Sequence, residues 1–155
     1  MALTGCFAAD LADAVTTAIN AETWTQTFTA VRPKRWLVRH TAQELQTLAV
    51  TVVPALSTTD EANWTRAEDE WVQAVDVAVQ EYIGQQGDCD PLGKLVEAIR
   101  EFFLHWETEL GTKAAECTGR QFVNGQNSLI AKEHLEDLNT FTAVLRLQFT
   151  VTDRG

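Results

Sequence analysis

The 155-residue sequence is poor in cysteine, and its cysteines have no spacing typical of a ligand site. Cys6, Cys89 and Cys117 are odd in number and lie far apart, which excludes a disulfide framework and a CxxC zinc knuckle. No apolar run is long enough to cross a bilayer. The first fifteen residues contain two aspartates and no basic residue, unlike a signal peptide. We therefore expect three reduced thiols in a protein that is made and kept inside a cell.

Positive charge is also scarce. The chain has 12 Lys and Arg against 22 Asp and Glu, for a net charge of −10. The whole excess lies in residues 58–110, which hold 13 acidic and three basic side chains. Because phosphate contacts need Lys and Arg, such a chain is a poor candidate for gripping nucleic acid.

Motifs for catalysis and cofactor binding are missing from the sequence as well. It has no phosphate loop, dinucleotide fingerprint or nucleophile elbow. The three histidines, His40, His105 and His134, lie in different segments and have no serine or cysteine at a recognisable spacing. We therefore predict a protein that is not an enzyme, with no catalytic residue, no cofactor and no metal.

One spacing offers an alternative, a small metal-dependent enzyme. Glu101, His105 and Glu109 recur four residues apart, so that on a continuous helix they would share a face and could hold a divalent metal. A solvated polar face is the interpretation we favour, because no ligand from a second element is apparent. The acidic run at 68–70 would point to alternate faces of a strand and would not converge on a metal.

The apolar content of 45%, with five Trp and seven Phe, is enough for one hydrophobic core, and we predict a single domain over residues 1–155. Periodicity predicts a helix over Phe7–Ile19 and a second helix that begins at Asp90-Pro91, carries an apolar stripe to Trp106 and ends before Gly111. The predicted strands are Trp24–Val31, Leu45–Val53, Trp71–Tyr82, Glu116–Val123 and Phe141–Val151, with a helical turn near His134–Leu138.

This order predicts an α+β fold, with an antiparallel or mixed sheet of four to five strands and two main helices packed on one face. Matched periodicity predicts which residues meet in the core: Leu95, Ile99, Phe102, Phe103 and Trp106 from the second helix, Val75, Val77 and Val79 from the middle strand, and Leu145, Leu147 and Phe149 from the last strand.

Candidate contact residues fall in predicted loops. Tryptophan in a loop is often a partner anchor, although it can equally fold back onto its own core. A basic turn and an acidic run are electrostatically complementary, as unlike surfaces in a head-to-tail ring would be. The candidates are Arg32, Lys34, Arg35 and Trp36 in the basic turn, Trp64 in the polar loop, and Glu68, Asp69 and Glu70 in the acidic run.

Five segments of the sequence carry a resemblance to a viral family: FTAVRPKRW, RAEDEWVQAVDVAVQEYI, PLGKLVEAIREFFL, ECTGRQFVNG and FTAVLRLQFTV. In their order and their local sequence, these segments resemble the tail terminator and minor tail proteins of long-tailed bacteriophages. That family folds as a small α+β domain and forms a ring, usually a hexamer, that caps the tail tube and joins it to the neck.

The resemblance implies a structural protein of the virion, assembled in the host cytoplasm. Its partners would be copies of itself, the tail tube protein and a head-side connector or stopper protein, with DNA passing through the ring unbound. Another head–tail joining ring, such as a head-completion or stopper ring, and a non-viral adaptor domain are the alternatives. In a ring, the acidic middle segment would face the solvent outside or would line the channel and repel passing DNA. The channel-facing candidates are Asp60, Glu61, Glu68 and Glu70.

Folding should not depend on a metal, because no segment has metal-ligand spacing beyond the one weighed above. We expect excess EDTA to leave the thermal unfolding midpoint unchanged, as measured by circular dichroism. Unfolding on addition of the chelator would contradict this expectation.

Overall fold

The computed structural model describes residues 3–36, 43–55, 70–85, 87–123 and 130–153. The helices are α1 (Phe7–Ala21), α2 (Asp90–Phe102) and α3 (Lys132–Leu138), and a short 3-10 turn spans Glu44–Gln46. The strands are β1 (Ala49–Pro54), β2 (Glu70–Tyr82), β3 (Glu107–Leu110), β4 (Lys113–Phe122) and β5 (Thr140–Asp153). The predicted α+β class is confirmed.

The five strands form one antiparallel sheet in the order β1-β2-β5-β4-β3. Its centre is the long pair β2 and β5, in register from Glu70 opposite Thr152 to Tyr82 opposite Thr140. Helix α1 contacts β1 and β2 and also β3. Because β1 and β3 are the two edges, the sheet must curl towards the helices.

The core lies between the sheet and helices α1 and α2, as the periodicity predicts. Val75 and Val77 of β2 stand opposite Leu147 and Leu145 of β5, and all four are buried. Helix α2 adds Leu95 and Ile99, and α1 adds Leu11, Val15 and Ile19. A strand side chain points to alternate faces, so this single set of odd-numbered positions supplies the whole inner face of the central pair.

The predicted strand Trp24–Val31 is wrong. Only Val31 pairs with the sheet, through a parallel bridge to Thr51 in which its N–H donates to Val50 O at 3.0 Å. Helix α1 satisfies other polar groups of this segment. The side chain of Asn20 accepts from the Ala30 N–H (2.8 Å) and donates to the Ala30 carbonyl (3.0 Å), and the Trp24 indole donates to Ile19 O at 2.8 Å. These bonds hold the segment against α1. Because they satisfy polar groups of the segment, those groups do not need a hydrogen-bonding partner in a strand ladder.

The second helix is shorter than predicted, and strand β3 was missed. Helix α2 ends at Phe102, and the chain then turns through His105, which has a positive φ of 59°. Gly111 (φ 66°) forms the two-residue turn between β3 and β4 and does not end a helix. The apolar stripe continues to Trp106 because Phe103 and Trp106 pack edge to face, with ring centroids 5.3 Å apart.

Smaller differences lie at the strand ends. Leu45 belongs to the 3-10 turn, so β1 begins only at Ala49, and Pro54 is its last residue. Strand β4 begins at Lys113, three residues earlier than predicted. The helical turn predicted near His134–Leu138 is confirmed as α3.

Phe103 and Phe102 provide a test of which face of the α2 region is the core. Phe103 is fully buried, whereas Phe102 is half-buried beside Trp24 (centroids 5.6 Å apart). Phe103→Ala should cost about 3–5 kcal/mol of unfolding free energy, as for other buried aromatics. Phe102→Ala, the matched control, should cost less. Urea unfolding of both variants measures this, and an equal or reversed ranking would contradict the packing.

Candidate functional site

A charged pair lies on the sheet face opposite the helices. Arg146 of β5 binds Asp76 of β2, its direct cross-strand neighbour, by two hydrogen bonds: Nε to Oδ1 at 2.8 Å and Nη2 to Oδ2 at 3.0 Å. The side chains are 24% and 16% exposed. The hydrogen bond from Arg146 to Asp76 raises the pKa of Arg146. A bidentate pair of this kind fixes the register of two strands, which is a structural role.

The predicted basic turn divides into an anchor and an exposed part. Arg32 Nε lies 2.6 Å from Asp13 Oδ1 of α1, and the two side chains are 14% and 26% exposed. Lys34 and Arg35 are exposed, and Trp36 is half-buried. The structure therefore assigns Arg32 to the fold and leaves Lys34 and Arg35 at the surface as contact candidates.

The other predicted contact residues are mostly not placed. Trp64, Glu68 and Asp69 lie outside the described residues, as do the channel candidates Asp60 and Glu61. Glu70 is the first residue of β2 and lies opposite Thr152 of β5, half-buried. Of the predicted acidic run at 68–70, the structure therefore describes Glu70.

The three metal-ligand candidates do not share a helix face. Glu101 lies in the last turn of α2, His105 in the following turn and Glu109 in β3. His105 instead lies near Glu116 of β4, with Nδ1 and Oε1 3.8 Å apart on exposed side chains. Across residues 3–36, 43–55, 70–85, 87–123 and 130–153, no group of three His, Cys, Asp or Glu could hold a metal ion. The helical spacing on which the metal hypothesis depended is wrong.

A groove of ≈ 730 Å³ lies at the amino end of α2, and sequence reasoning did not find it. Ile130 and Pro91 contribute apolar surface above the buried Phe141, and Asp88, Asp90 and Glu97 contribute carboxylates. Lys94 is a cation in the lining. In the sequence, Asp90-Pro91 indicates only the start of a helix and gives no sign of a groove.

The groove is locally electronegative at the start of α2. The Asp90 N–H donates to the Asp88 carboxylate at 2.9 Å, which places both acids beside Cys89. Burial raises the pKa of the Cys89 thiol, and the charges of Asp88 and Asp90 raise it further. The charges of Asp88 and Asp90 favour a cation at this end of the groove, and apolar surface lies next to them, so the groove is suited to a ligand with basic and apolar parts.

No helix in the described part of the chain is long and apolar enough to cross a membrane. No family model and no curated protein matches the sequence. One solved structure is 14% identical over 92% of this chain and 94% of its own length, with a TM-score of 0.48. A likeness at this level carries no argument about function.

The three thiols should differ in reactivity. Cys6 is exposed, Cys89 is half-buried with a raised pKa, and Cys117 is buried with its pKa raised to about 11, chiefly by burial. Because the thiolate is the reactive form, Ellman's reagent at pH 8 should modify Cys6 first, Cys89 more slowly, and Cys117 only in denaturant. Mass spectrometry of each cysteine peptide measures the order, and fast reaction of native Cys117 would contradict it.

Proposed function

We propose that this protein is a structural subunit of a bacteriophage neck or tail ring, one that caps the tail tube and joins it to the head connector. Support comes first from the resemblance to the tail terminator family. Four of the five matching segments coincide largely with successive elements of the fold, namely β2, α2, β4 and β5. The fifth, residues 28–36, contains the basic turn and meets the sheet only at Val31.

The basic turn is the structural observation that carries the proposal. Val31 is hydrogen-bonded to the edge strand β1, and Arg32 is bound to Asp13 of α1. These two anchors fix the backbone from which the exposed Lys34 and Arg35 extend. Cations held on an anchored turn, in a protein with ten net negative charges, favour association with an acidic surface on another copy.

The partners follow from the same proposal. The subunit contacts copies of itself, the tail tube protein and a head-side connector or stopper protein, and DNA passes through the ring without specific binding. Two placements are open for Glu70 and the acids at positions 60, 61 and 68: they line that channel or they face outward. Their distance from the symmetry axis of an assembled ring distinguishes the two placements. A channel lined by Lys and Arg would contradict the repelling wall.

Self-association is the first test. Light scattering after size exclusion should give a mass several times the 17.2 kDa protomer, six times for a hexamer. Because salt screens charges beyond about 10 Å at 0.1 M, raising NaCl from 50 to 500 mM should shift the equilibrium towards protomers. Arg35→Glu should weaken assembly further, whereas Arg35→Lys, the matched control that keeps the charge, should leave it nearly intact.

A protomer at all concentrations would contradict the ring, and an assembly indifferent to both salt and Arg35→Glu would contradict the role of the basic turn. Binding of the assembled ring to purified tail tube protein separates a tail terminator from a head-completion or stopper ring, which would bind the connector alone.

A further inference from the structure

We propose that the groove at the amino end of α2 receives the basic turn, residues 31–36, of a neighbouring copy. This inference rests on the proposed ring and names the surface that the turn contacts within it. The turn and the groove differ in position and in chemistry. The turn carries cations, and the groove carries an excess of acids.

The turn combines cations with apolar ends. Val31 is 56% exposed, Lys34 and Arg35 are exposed, and Trp36 is half-buried. Pro33 lies between these groups and restricts the backbone, which lowers the entropy lost when the segment binds. Tryptophan and arginine are the residue types that most often dominate binding energy at protein interfaces.

The groove has the complementary arrangement. Its rim carries the exposed acids Asp88, Asp90 and Glu97 against one cation, Lys94, and its apolar surface comes from Ile130 and Pro91. A volume of ≈ 730 Å³ lies within the range of about 300–1,000 Å³ typical of ligand pockets. A tryptophan ring over the apolar surface would bring the neighbouring cations to the acidic rim.

The position of the two surfaces fits a ring. The turn follows Val31 at the β1 edge of the sheet, whereas the groove lies at the start of α2 and of β5, the central strand, and is also lined by Thr25 and Gln26 of the segment that precedes the turn. Lys34 and Arg35 are exposed in the protomer, so their charges are not buried in its own groove. A contact between two different patches is heterologous, and a heterologous contact closes into a ring when its rotation permits.

The groove is a better receptor than Glu70, the member of the acidic run at 68–70 that the structure describes. Glu70 lies in the β2–β5 ladder opposite Thr152 and is half-buried there. It offers a charge, whereas the groove offers charges together with an apolar surface for Trp36. Charge changes at Glu70 and at Glu97 therefore distinguish the two receptors.

A charge exchange between turn and groove tests the proposal. Arg35→Glu and Glu97→Lys should each raise the dissociation constant of the assembly about tenfold or more, because each sets like charges against one another. The chain that carries both substitutions should assemble again, and so should a mixture of the two single variants. Glu107→Lys, an equal charge change on exposed β3, and Glu70→Lys are the controls and should assemble like the wild type.

Modification of Cys89 gives an independent measurement, since this thiol lies in the groove. In a Cys6→Ser background, assembly of the wild-type surface should slow alkylation of Cys89 by N-ethylmaleimide at least about threefold, because a thiol covered at the contact reacts only in the unassembled fraction of protomers. Arg35→Glu should restore the protomer rate at the same protein concentration.

The outcomes separate the contact from the ring itself. Four results would each overturn the groove contact and leave the ring in place. They are normal assembly of Glu97→Lys, loss of assembly in Glu70→Lys, failure of the double variant to assemble again, and an unchanged rate of Cys89 alkylation. A wild-type protein that never assembles would overturn both.

Discussion

The fold depends on the pairing of β2 with β5. These strands form the longest ladder of the sheet, and their inner faces supply Val75, Val77, Leu145, Leu147 and Phe149 to the core. Because side chains alternate between faces, a slip of one residue would turn all of these away from the helices. The bidentate bond between Asp76 and Arg146, at the middle of the ladder on the other face, is made only in the correct register.

Much of this architecture was predictable from periodicity. β2 and β5 alternate cleanly, and α2 begins at Asp90-Pro91 as predicted, although Cys89 and not Asp90 occupies the N-cap and makes no side-chain capping bond. Such patterns work because they repeat over many residues, so that no single side chain decides the outcome. Most core residues of these elements were predictable for the same reason, but Phe102 and Trp106, also predicted for the core, are half-buried against it.

The errors arose where one tertiary contact outweighed local preference. Residues 24–30 have strand-like composition, yet the side-chain amide of Asn20, in the last turn of α1, hydrogen-bonds both backbone groups of Ala30. The stripe of α2 appeared to continue because Trp106 packs on Phe149 (centroids 6.0 Å apart) from outside the helix. The groove at α2 could not be predicted, because Ile130 and Phe141 approach it only through the tertiary fold.

The sheet order also constrains how the chain folds during synthesis. β5 is the central strand, but every other strand precedes it along the chain. Until the ribosome has released residues 140–153, β2 and β4 have no strand between them, and the valines of β2 lack half of their partners. The sheet therefore closes late, through contacts between residues far apart in sequence such as Asp76 and Arg146. Nascent chains of this protein expose the edges of β2 and β4 until then, and unpaired strand edges are prone to aggregation.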